Sequence, residues 1–141
     1  MSKEKIIGWF AFIFLIFIVL TQTSYSQISA PHNLQGTVKG NTVTINWIEP
    51  ASRNAVSYNI YRVISADTSK NTDVTHFNFS KINSTTSPIY QDSVSVPAGD
   101  FTTAVQAVAV YYYVTAVDVA GQESVPSQIL RIVLTPVSQM K

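Results

Sequence analysis

Every second side chain is apolar along NTVTINWI (41–48): Val43, Ile45 and Trp47 share one face, and Thr42, Thr44 and Asn46 share the other. Successive side chains of a strand point to opposite faces, so a period of two predicts a strand buried on one side. The same pattern recurs along the chain in short runs divided by turn residues. NLQGTV (33–38), opened by Pro31, predicts a first strand, and Lys39-Gly40-Asn41 the turn after it. Glu49-Pro50 ends the second strand, because proline offers the ladder no N–H. VSYNIYRVI (56–64) predicts a third strand, with Tyr58 and Ile60 on one side. SADTSKNTD (65–73) is polar and unpatterned, hence a loop, and THFNFSKI (75–82) resumes extended structure. SPIYQDSV (87–94) follows the turn NSTT (83–86), VPAG (96–99) reads as another turn, and SQILRIVL (127–134) as the last strand. Between these last two lies a long run from about Thr103 to Ala120. Nothing after residue 26 carries an apolar period of 3.6.

Seven short strands with regular turn signals predict an all-β, immunoglobulin-like sandwich. The long run sharpens the expectation. Val108, Val110, Tyr112, Val114 and Ala116 share one face, and Tyr111, Tyr113, Thr115 and Val117 the other. We assign the first face to the core, with Trp47, Tyr58, Ile60, Tyr112, Val114 and Ala116 as its members. A buried phenol needs a partner for its hydroxyl, since an unpaired buried polar group costs about 1–3 kcal/mol. Sandwiches meet this need with a tyrosine corner, in which the hydroxyl bonds backbone a few residues upstream, and Tyr112 is the candidate. Tyr111 and Tyr113 then fall on the outer face, where large rings pair across strands.

The strands are preceded by a different kind of segment. IIGWFAFIFLIFIVL (6–20) has no charged side chain, follows Lys3 and Lys5, and ends at the polar TQTSYSQ. A basic start, an apolar centre and small residues beyond it predict a helical secretory signal peptide. Ser24 and Ser26 supply the small residues for a cut before Gln27, and a cut nearer Ala30 is the alternative. As a helix the apolar run spans roughly 22 Å, short of the roughly 30 Å of a hydrocarbon core, so an uncleaved anchor is the secondary reading. The expected division is a signal peptide over 1–26 and one domain over 27–141, with its core at about 30–135. The chain contains no cysteine, which excludes both disulfides and a lipid-modified cysteine terminus. Without residues 1–26 it carries seven basic and seven acidic residues, and that neutrality argues against a nucleic-acid partner. The expected location is secreted, periplasmic or at the cell surface, with membrane contact only through residues 6–20 if they are retained.

Several segments, in order, resemble a fibronectin type III domain: Pro31 with Asn33-Leu34, Trp47, YNIYR (58–62), FSKIN (79–83), YQD (90–92) and YYVTAVDVAGQESVPS (112–127). Together they cover roughly residues 30–135. Their style resembles versions found beside bacterial carbohydrate-active and surface proteins. The resemblance implies a sandwich with Trp47 and Tyr112 in its core, and Gly121 and Ser127 bracketing the turn between the last two strands. The chain departs from the family in DFTTAVQAVAV (100–110), an apparent insertion after Gly99. Either it lengthens the hairpin and folds against the sandwich, or it projects as an apolar contact surface for a partner or a second copy.

Little in the sequence suggests chemistry. His32 and His76 stand apart from other metal-ligand side chains, and no cysteine pair or HExxH occurs. There is no GxSxG and no phosphate-cradling glycine loop. The aspartates are scattered at turns and strand ends, with Asp118 before Ala120-Gly121 explained by turn chemistry. No catalytic residue, metal or cofactor is expected. Asn78-Phe-Ser80 and Asn83-Ser-Thr85 match the N-glycosylation pattern, which matters only in a eukaryotic secretory pathway. Arg-Gly-Asp is absent. The expected role is a non-enzymatic protein-interaction, adhesive or spacer module, with Tyr61, Tyr111, Tyr113, Phe101 and Val105 as candidate partner surface and self-association through 100–110. The alternative is a module that binds polysaccharide through outward tyrosines.

Overall fold

The computed structural model describes residues 28–51, 54–96 and 107–135. It contains seven strands: β1 (His32–Lys39), β2 (Thr42–Ile48), β3 (Ala55–Ser65), β4 (Ser80–Thr85), β5 (Ile89–Ser93), β6 (Val108–Asp118) and β7 (Leu130–Leu134). They form a three-stranded sheet, β1-β2-β5, and a four-stranded sheet, β4-β3-β6-β7. All pairings are antiparallel. The all-β sandwich with seven strands is what the alternating pattern predicts. The leader, with its expected helix, lies outside the described residues.

The seam between the sheets is built from side chains of matching parity. Val43, Ile45 and Trp47 of β2 face Tyr58 and Ile60 of β3 and Val110, Tyr112, Val114 and Ala116 of β6 in one buried cluster. Trp47 meets Tyr58 edge to face, with ring centroids 5.3 Å apart, a preferred geometry for aromatic pairs. Ile28 and Leu34 close the cluster from the amino-terminal side and Val94 and Leu134 from the far end. Where β1 passes β7, the sheets approach so closely that a Cβ on Gly36 would lie 2.6 Å from Ile132 Cδ1.

β4 and β7 each start at least three residues later than the sequence predicts. Thr75 and His76 lie in a turn, and β4 begins only at Ser80. β7 begins at Leu130 rather than Ser127. Serine side chains replace the missing strand along this edge of β6. Ser124 Oγ accepts the Ala116 N–H at 2.9 Å, and Ser127 Oγ accepts the Val114 N–H at 3.0 Å. Their own N–H groups donate to the Ala116 and Val114 carbonyls. The turn between β6 and β7 places Gly121 at φ 78, a conformation that costs glycine little, and Asp118 Oδ1 accepts the N–H groups of Ala120 and Gln122.

Tyr112 is fully buried, but its hydroxyl does not make the expected corner. It donates to Asp92 Oδ2 at 2.7 Å rather than to upstream backbone. Asp92 is a buried carboxylate on the inner face of β5, and it also accepts two bonds from Arg62 Nη1 at 2.7 and 2.9 Å. The phenol, the carboxylate and the guanidinium thus tie the two sheets together inside the seam. Burial first, then the bond to Asp92, raise the Tyr112 phenol far above its ordinary range.

The segment singled out as an insertion divides. Val108, Ala109 and Val110 are buried in β6, so this end of 100–110 belongs to the core and not to a projection. The part that carries Phe101 and Val105 lies outside the described residues.

Candidate functional site

Aromatic side chains on the outer face of the four-stranded sheet form the most distinctive surface among the described residues. Tyr61 of β3 and Tyr113 of β6 are direct cross-strand partners. Their rings stack with centroids 4.6 Å apart and planes within 16°. Phe79, just before β4, leans on Tyr113 at 4.9 Å. Phe77 packs against Phe79 and meets Tyr111 edge to face at 5.0 Å. Tyr61, Tyr113, Phe77 and Phe79 are each half-buried.

Tyr111 is not part of the surface, contrary to the expectation from its parity. Only 2% of it is exposed. The loop between β3 and β4 folds back over the outer face of β6 and places Phe77 on its ring. Hydrogen bonds fix that loop from inside. Asp67 accepts from Ser69 N and Thr72 Oγ1, and Asp73 accepts from the N–H and hydroxyl of Thr75. Arg131 of β7 reaches across to the Thr68 carbonyl. Backbone donation from Ser69, followed by the other hydrogen bonds, holds the Asp67 carboxyl below its ordinary range. The loop's aromatic residues therefore create a small second apolar layer outside the sheet, against Tyr111 and Tyr113.

At the other side of the tyrosine stack lies Glu123, from the loop between β6 and β7. Its carboxylate accepts from Asn59 Nδ2 at 2.6 Å, Thr115 Oγ1 at 2.6 Å and the Tyr61 hydroxyl at 3.0 Å. Asn59 Oδ1 in turn accepts the Ser84 hydroxyl at 2.7 Å, which continues the network to β4. Burial alone would raise the Glu123 carboxyl. The bonds from Thr115, Tyr61 and Asn59, with the charge of Lys81, outweigh it and leave the group below its ordinary range. Burial first, and then this carboxylate, push the Tyr61 phenol up to about 12. The same two influences raise Tyr113. The site is thus an aromatic stripe flanked by Lys81 and a saturated carboxylate.

Of the side chains assigned to the core, Trp47, Tyr58, Ile60, Tyr112, Val114 and Ala116 are all buried. Of those assigned to a partner surface, Tyr61 and Tyr113 are brought together, Tyr111 is covered, and Phe101 and Val105 lie outside the described residues. Sequence reasoning missed Phe77 and Phe79, although two phenylalanines alternating next to a polar loop are a signal for a covered outer face. It also missed Asp92 and Arg62. Each stands at an inward-facing position between apolar neighbours, and opposite charges at such positions point to a buried pair.

No protein-family model matches the sequence, and no curated protein matches it. Solved structures do. An Fn3-like protein from Clostridium thermocellum superposes at 25% identity with a TM-score of 0.52, over 75% of this chain and 92% of that one. The fibronectin type-III domain of human fibronectin type III domain containing protein 3 superposes at 16% identity and 0.56, over 84% of this chain and 95% of that one. This chain has the fibronectin type III fold. A β-1,2-glucanase from Parabacteroides distasonis also contains a similar unit, at 24% identity and a TM-score of 0.54, but the match spans 82% of this chain and only 14% of the glucanase. A fibronectin type III-like domain of this kind is a generic β-sandwich module. In this chain the tryptophan in the seam and the buried tyrosine of β6 stand at inward positions of the alternating pattern.

Proposed function

We propose that the chain is an exported, non-catalytic fibronectin type III module that acts through protein contact, as an adhesive or interaction unit or as a spacer, at the cell surface or in the periplasm. The observation that carries this reading is the stripe of Phe79, Tyr113 and Tyr61 on a broad sheet face with Lys81 and Glu123 beside it. Aromatic residues with a polar rim are the common composition of protein interfaces. The non-catalytic part of the reading rests on how the acidic groups are used. Asp92 is committed to Arg62 and Tyr112, Glu123 to three donors, and Asp118 to its own turn. None of these is left as a free acid or base beside another.

The polysaccharide alternative uses the same tyrosines, but a sugar stacks on the face of a ring. In the Tyr61–Tyr113 pair the facing ring surfaces are turned to one another at 4.6 Å, and Phe79 leans on Tyr113 as well. That geometry favours protein contact. The test is binding of labelled domain to cell envelopes of the producing organism, comparing wild type with Tyr61→Ala/Tyr113→Ala. Binding that the double variant loses and that protease treatment of the envelopes abolishes supports the proposal. Binding that survives protease and is competed by soluble polysaccharide overturns it in favour of the alternative.

A further inference from the structure

The loop that covers the outer face of β6 leaves two hydrogen-bond donors beneath it without an acceptor. Tyr111 and Arg131 are register partners on β6 and β7, so both side chains leave the same face of the sheet. The Tyr111 hydroxyl and the Arg131 Nε atom are buried, and among the described residues neither has a hydrogen-bond partner. No carboxylate among those residues pairs with Arg131 either. Its Nη2 donates instead to the Thr68 carbonyl of the loop. The Nε–H and one N–H of Nη2 lie along one edge of the planar guanidinium, the edge that takes both oxygens of a carboxylate. A single carbonyl oxygen fills half of that edge. The loop thus holds the place of a carboxylate without making all of its bonds, and a buried polar group left unpaired is costly. Asp67 does not complete the site. Arg131 is close enough to help lower its carboxyl, but the oxygens of Asp67 accept from Ser69 and Thr72.

The cover can move as a unit. Its own hydrogen bonds run within the loop: Asp67 with Ser69 and Thr72, Asp73 with Thr75, and the Phe77 N–H with the Val74 carbonyl. It meets β6 and β7 through Phe77 on Tyr111 and the Thr68 carbonyl on Arg131. Lifting it breaks those two contacts and leaves the bonds inside it intact. The geometry points to a carboxylate-binding site beneath the loop of 66–79: an acidic protein segment displaces the Thr68 carbonyl and places an Asp or Glu side chain on Nε and Nη2 of Arg131, with the Tyr111 hydroxyl as a third donor. This rests on the proposed role in protein contact. Tyr111 stands two residues from Tyr113 on β6, so the uncovered face continues the Tyr61–Tyr113 stripe. The charge of Arg131, unmatched within the described residues, selects an acidic partner.

The first test is titration of the full chain with sodium acetate, followed by the NMR signal of the Arg131 Nε–H, which is identified by its loss in Arg131→Lys. A saturable shift is expected, and sodium chloride at equal ionic strength should give none. Phe77→Ala, which loosens the cover, should reach half-saturation at about fivefold lower acetate, because less of the binding free energy goes into opening the loop. A shift that does not saturate, or equal midpoints in Phe77→Ala and wild type, overturns the site. Binding of labelled chain to cell envelopes then separates the site from the role. Arg131→Lys keeps the charge but not the fork, and should bind about tenfold more weakly. Envelopes whose carboxylates have been converted to amides should bind wild type as weakly as that. If Tyr61→Ala/Tyr113→Ala loses binding while Arg131→Lys and amidation leave it unchanged, the protein-contact reading stands and this inference falls. Envelopes that do not bind wild type overturn the reading itself.

Discussion

Asp92 is the side chain whose removal tests the architecture most directly. It is the shared acceptor for Arg62 at 2.7 and 2.9 Å and for the Tyr112 hydroxyl at 2.7 Å, and it joins β5 of one sheet to β3 and β6 of the other. Side-chain exposure is 7% for Asp92 and 25% for Arg62. Asp92→Ala leaves two groups without a partner. Breaking a buried ion pair costs about 3–5 kcal/mol, and the low end applies because Arg62 keeps some contact with water. The Tyr112 hydroxyl, fully enclosed, adds about 1 kcal/mol as an unpaired polar group. The expected loss is therefore about 4 kcal/mol, a large part of the 5–15 kcal/mol typical of a domain. Asp92→Asn retains an acceptor for the phenol and should lose about half as much. Urea unfolding near neutral pH, monitored by tryptophan fluorescence, measures both. The double variant Arg62→Met/Asp92→Leu should recover most of the loss, because replacing both charges with apolar groups leaves only the Tyr112 hydroxyl orphaned. If Asp92→Ala stays within about 1 kcal/mol of wild type with an unchanged denaturant slope, the buried tie has no energetic meaning and the reasoning fails.

Three further outcomes follow from the same geometry. Trp47→Ala should lose about 3–5 kcal/mol in the same urea assay, as expected for a large aromatic in a closed seam. Phe77→Ala should expose Tyr111 to tyrosine-nitrating reagent while costing only about 1–2 kcal/mol, since Phe77 is itself half-exposed; nitration of Tyr111 at an equal rate in wild type would show that the loop does not cover it. The Glu123 carboxyl titrates below its ordinary value in the fold, so its contribution to stability is present above the unfolded value of 4.5 and is lost as pH falls through the lower folded value. Glu123→Gln should accordingly show a smaller drop in melting temperature than wild type between about pH 6 and about pH 3, and equal drops would remove Glu123 from the acid response.

Much of the fold was legible because strand parity is a local property. The alternation in NTVTINWI and the inward row Val108, Val110, Tyr112, Val114 and Ala116 each predict one buried face without knowledge of any distant residue. Proline and the turn residues mark the ends of these runs for equally local reasons. The candidate site was legible only in part: Tyr61 and Tyr113 could be placed outward, but nothing near either one states that they are register partners.

The amino-acid sequence by itself determined the class of the domain and the apolar rows of β2, β3 and β6 in its inner seam, since both depend on each residue's neighbours along the chain. Tertiary structure alone decided which outward positions stay at the surface. Tyr111 and Tyr113 have the same parity, yet Tyr111 is enclosed because a loop more than thirty residues earlier in the chain lays Phe77 over it. It also decided the partner of the Tyr112 hydroxyl, for a buried phenol demands an acceptor but does not name one. Asp92 supplies it only because β5 and β6, in different sheets, meet across the seam. Burial and hydrogen bonding are satisfied in space, and a period of two says which way a side chain points but not what will be waiting there.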